Sequence, residues 1–274
     1  SIILSGLQPN TEYTYRLSEG SQETYTFTTP PQAEQAFRFL VLHREGFLET
    51  AWGEKLIELS NTQMPDFVIT AGEVRAVDYI RNEREFLKLL SEQTLGLPVY
   101  LVPGSATLKV ADIRERYVKP EGSIDYFFDF GNARFIILGP EIESDQVSLS
   151  QREAWLEGAV ESATGLLHTF VFLTHDQGED PEKNIKPVLE KLIQEEQIRA
   201  VFNLNGSDQA WSWGEGPIYN IKDGFMVVDV DVEGVTAQIG DYQVPELTDV
   251  VIKDFPEAVK RSCVYCRKLL ERAQ

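Results

Sequence analysis

Short apolar runs, each closed by Gly, Pro or a polar cluster, recur along this chain. Phe37-Arg38-Phe39-Leu40-Val41-Leu42, Asp66-Phe67-Val68-Ile69-Thr70-Ala71-Gly72, Leu97–Val102, Thr169–Leu173 and Ala200–Leu204 read as strands, because almost every position in them is apolar or β-branched. Between them the apolar spacing changes to three and four. Ala51 to Asn61, the stretch through Ile80, Phe86, Leu87 and Leu90, and the stretch through Val188, Leu189, Leu192 and Ile193 therefore read as helices. Ser150-Gln151-Arg152-Glu153 has the form of a capping box, opening a helix that carries Trp155, Leu156 and Val160. Tyr126 to Leu138 reads as a hairpin turned at Gly131-Asn132, and Met226 to Ile239 as a second turned at Glu233-Gly234. Asp229, Asp231 and Glu233 alternate with valines, as on the wet face of a strand. Strands alternating with helices and mixed with hairpins predict a two-sheet α/β architecture.

The first residues differ in pattern. Aromatic and β-branched positions alternate through Tyr13, Tyr15, Tyr25 and Phe27 on either side of Glu19-Gly20-Ser21, which predicts a hairpin. Leu7-Gln8-Pro9-Asn10-Thr11-Glu12-Tyr13 is similar to the tyrosine corner of a fibronectin type III-like sandwich. Such a sandwich needs about 90 to 100 residues, so only its last strands are expected here. Pro30-Pro31 begins a linker. The expected organisation is a partial fibronectin-like segment at 1–31, an α/β domain at 32–252 and a C-terminal helix at 253–274.

Composition narrows the function classes. The chain has 274 residues, is 42% hydrophobic and carries a formal charge of −19, which supports a substantial core and argues against nucleic acid and anionic membranes as partners. No apolar run approaches the roughly 20 residues of a membrane span. No basic-then-apolar leader is visible, so no signal peptide is expected in the sequence as given.

Candidate chemistry sits where the strands stop. The strand at Leu97–Val102 ends abruptly at Pro103-Gly104, and Ser105 and Ala106 follow on the loop. From about Phe37 to Val251 this order of frames resembles the calcineurin-like metallophosphoesterases, and their purple-acid-phosphatase branch in particular. The resemblance implies a four-layer α/β/β/α sandwich, and a site built on five loops around two divalent or trivalent metals that activate water and clamp a phosphate.

In each loop the residues here differ from those the resemblance implies. Arg44 stands at the position of an Asp ligand, with Gly46 two residues on, and an arginine only donates. His43 is one residue early and points to the other side of an extended strand. Glu73 follows Gly72 in place of the bridging Asp. Ser105 and Ala106 replace Asn and His. Thr174 replaces a His, with His175 beside it. Ser207 and Gln209 replace two further His, flanking Asp208. The chain has only 3 His in all, His43, His168 and His175.

These substitutions imply a catalytically degenerate metallophosphoesterase-like protein kept for binding or structural assembly, with no metal cofactor. The alternative is a phosphoester hydrolase with a reduced site, whose metal Glu73, His175 and Asp208 would hold. Arg44 is expected either to pair with Glu73, supplying lost cationic charge, or to be a solvated loop residue. Protein partners or self-assembly are expected through the hairpin or the C-terminal helix. By analogy with the family, a secreted, periplasmic or cell-surface location is expected.

Features outside the loops stay open. Val259, Cys263, Cys266 and Leu270 fall on one helical stripe, where the two cysteines could pack, form a disulfide or bind metal. Asp176, Glu179, Asp180 and Glu182 read as a solvated acidic loop. Asn205-Gly206-Ser207 matches a glycosylation sequon. Trp211, Trp213 and Tyr219 could line a cleft or belong to the core.

Overall fold

The computed structural model describes residues 4–16, 24–43, 50–71, 97–102, 125–139, 148–173, 185–204, 218–221, 224–241 and 247–250. The described strands form a six-stranded sheet, a five-stranded sheet and a separate two-stranded ribbon. The ribbon pairs β1 (Glu12–Tyr15) with β2 (Tyr25–Thr28).

The six-stranded sheet is built on β3 (Phe37–His43), which lies parallel to β4 (Phe67–Ala71) with α1 (Thr50–Gln63) between them in sequence. β5 (Val99–Val102) continues the parallel set at one edge. On its other side β3 pairs antiparallel with β11 (Gly224–Val230), followed by β12 (Val235–Asp241) and β13 (Thr248–Val250). β3 is apolar on both faces because it is covered on both. Phe37, Phe39 and Val41 join the core between the sheets, while Leu40 and Leu42 are buried on the outer face.

The five-stranded sheet starts with the predicted hairpin, β6 (Tyr126–Phe130) and β7 (Ala133–Leu138). Gly131 turns it at a φ of +57°. A Cβ there would meet the Phe37 ring at 2.9 Å, so the turn needs glycine for its backbone and for its neighbour alike. β8 (His168–Leu173), β9 (Ala200–Asn203) and β10 (Ile218–Asn220) then add parallel strands. The helices α2 (Leu149–Glu161) and α3 (Lys186–Gln194) cover the outer face, burying Leu156, Ala159 and Val160 from one and Leu189 and Leu192 from the other against Ile136, Val171 and Val201.

Between the sheets the core is aromatic. Phe39 stacks on Phe67 at 5.4 Å and meets Phe135 edge-on at 5.2 Å, and Phe172 stacks on Phe202 at 4.7 Å. This is the α/β sandwich that the frames implied.

Two local expectations change. The cap of α2 is Ser148, not Ser150, because its hydroxyl accepts from the Gln151 amide while the Gln151 side chain accepts from the Ser148 amide. Asp231 and Glu233 are not on a strand face. β11 ends at Val230, and the Asp231 carboxylate accepts from the Glu233 and Gly234 amides at 2.7 and 2.8 Å to close the turn. The short strands β10 and β13 had no signal of their own. No described helix is long and apolar enough to cross a membrane.

Candidate functional site

Contacts at the start of the strands show that both sheets run the same way. Phe37, the first residue of β3, meets Phe130 at 5.2 Å, beside the turn into β7. The Asp231 carbonyl, at the turn of β11 and β12, accepts from Asn132 Nδ2 at 3.2 Å and lies 3.2 Å from His168 Nε2, at the first residue of β8. The parallel strands therefore all end at the opposite edge of the sandwich, at His43, Ala71, Val102, Leu138, Leu173 and Asn203.

That edge is where the candidate loops depart. Arg44 follows β3, Glu73 follows β4, Ser105 and Ala106 follow β5, Thr174 and His175 follow β8, and Ser207, Asp208 and Gln209 follow β9. Three of these strands are adjacent in one sheet and two in the other. Neighbouring strands stand about 4.8 Å apart and stacked sheets about 10 Å, so neighbouring departure points lie about 5 to 10 Å from one another. All nine candidate side chains lie outside the described residues, as do Trp211, Trp213, the acidic loop, the sequon and both cysteines. The structure brings together the strand ends that feed the loops.

Several described groups stand at this edge. His43 closes β3 and is 2% exposed. The alternation that turns Phe37, Phe39 and Val41 to the inter-sheet side turns His43 there too, between the small residues Gly224 and Ala71 of the flanking strands. Sequence reasoning set His43 aside as out of register for a ligand. Its burial at the mouth of the sandwich had no sequence signal.

At the side where β5 and β6 meet, Tyr100 stacks on Phe128 with centroids 3.6 Å apart. Burial raises the Tyr100 phenol above its ordinary pKa. Burial raises Tyr126 further, with the nearby Tyr100 adding to it. Both stay neutral hydroxyls at physiological pH. Asp125 and Arg152 form an ion pair beneath the same side, 11% and 10% exposed, and neither was singled out for this role from the sequence. Tyr219 on β10 packs toward the core beside Phe202, at 5.7 Å, and burial raises its pKa as well.

Among the described residues no three His, Cys, Asp or Glu side chains converge on one point. A metal would take its ligands from the loops, where Glu73, His175 and Asp208 are the carboxylate and imidazole groups. The loop residues as a set suit two adjacent cations poorly. Arg44 is cationic, and Ser105, Ala106, Thr174 and Ser207 are weak ligands or none.

The sequence matches no family profile and no curated protein. Solved structures do match. A purple acid phosphatase from seeds of yellow lupin (Lupinus luteus) aligns over 90% of this chain at 16% identity, with a TM-score of 0.65. The chain spans 60% of that protein's length. A phosphatase from Mycoplasma pneumoniae aligns over 83% of this chain and 97% of its own at 12% identity, with a TM-score of 0.38. The alignment with the lupin enzyme and the two packed sheets give this chain the metallophosphoesterase-like fold of a purple acid phosphatase.

Proposed function

We propose that this chain is a catalytically degenerate metallophosphoesterase-like protein, retained for binding or structural assembly. The observation that carries the reading is the convergence of five loops on one edge of a phosphatase-like sandwich, in a chain whose loops offer few metal ligands. Two-metal hydrolysis needs several anionic or imidazole ligands to neutralise and orient the cations. Here an arginine, three hydroxyl residues, a glutamine and an alanine occupy positions where the resemblance calls for ligands or a phosphate contact.

In this reading Arg44 supplies the cationic charge that a metal would have brought, and it pairs with Glu73. The loops then offer donors in Arg44, Ser105, Thr174, His175 and Ser207 beside the acceptors Glu73 and Asp208. A location outside the cytoplasm belongs to the same proposal, by analogy with exported phosphatases.

The competing reading is a phosphoester hydrolase with a single metal held by Glu73, His175 and Asp208. Metal analysis of the purified protein, with phosphomonoesterase and phosphodiesterase assays in added Mn²⁺, Zn²⁺ or iron, separates the two. The expected result is substoichiometric metal and no turnover. Stoichiometric metal with turnover abolished by Glu73→Ala would overturn the proposal.

A further inference from the structure

We draw no further inference here: the strongest candidate, the half-buried aromatic side of the sandwich where Tyr100 on the edge strand β5 stacks on Phe128 of the edge strand β6, carries none because nothing among the described residues shows what covers it.

Discussion

Asp125 and Arg152 hold each other with both ends of both groups. Arg152 Nε donates to Asp125 Oδ2 at 2.7 Å and Nη2 donates to Oδ1 at 2.8 Å. Asp125 also accepts the Gly139 amide at 2.8 Å, and Arg152 Nη2 donates to the Gly139 carbonyl. The pair thus fastens the first turn of α2 to the open end of the β6–β7 hairpin, at the edge that bears the candidate loops.

Breaking this pair from one side strands a charge away from water, which costs about 3–5 kcal/mol. Arg152→Met is expected to lower unfolding stability by that amount in urea titration. Asp125→Asn combined with Arg152→Met should recover part of the loss, because no uncompensated charge remains. A single variant within 1 kcal/mol of wild type, on the scale of an exposed pair, would contradict the account.

Asp66 gives a pH signature. Burial raises its carboxyl above the usual range, against the Arg38 amide and charge, which favour ionisation. It therefore binds its proton more tightly folded than unfolded. Its contribution is fully present below the unfolded pKa of about 4, and is lost as pH rises through the folded value. Asp66→Asn keeps an acceptor for the Arg38 amide, which now donates to Asp66 at 2.8 Å. Relative to wild type the variant should gain stability between pH 3 and pH 7, by a fraction of a kcal/mol because the carboxyl is partly solvated. A difference that shrinks with rising pH would refute the assignment.

Gly240 leaves room for a ring. A Cβ there would lie 2.4 Å from Cζ and 2.7 Å from Cε1 of Phe225, its cross-strand partner, which is buried. Gly240→Ala should cost about 1–3 kcal/mol by overpacking. Adding Phe225→Leu should relieve part of the strain, a coupling that a double-mutant cycle would read directly.

Thr70 offers the reverse case. It is fully buried on the outer face of β4, paired in register with Leu42 and Leu101, and its hydroxyl has no hydrogen-bond partner among the described residues. Thr70→Val keeps the shape and removes the unsatisfied group, so it should stabilise by about 1 kcal/mol in thermal or denaturant unfolding. A loss of stability would mean that the hydroxyl has a partner in solution.

How much of this was legible in the residues differs from place to place. Phe37–Leu42, Asp66–Gly72 and Thr169–Leu173 announce buried strands, because a strand covered on both faces has nowhere to put polar side chains. Gly131 and the Glu233-Gly234 turn mark hairpins by local backbone needs. Substitutions such as Arg44 and Ala106 are visible as chemistry in any conformation, since side-chain charge and ligand capacity belong to the residue itself. The strands β10 and β13 were not legible, because three residues pair only when a neighbouring edge is already in place. Nor was the Asp125–Arg152 pair, whose partners are separated along the chain and meet only across α2 and the hairpin. The burial of His43 between Gly224 and Ala71, and the gathering of five loops at one edge, are decided by how strands from distant parts of the sequence align. Local pattern determined which segments become strands and which candidate groups are missing, and only the tertiary structure decided which ends of those strands meet.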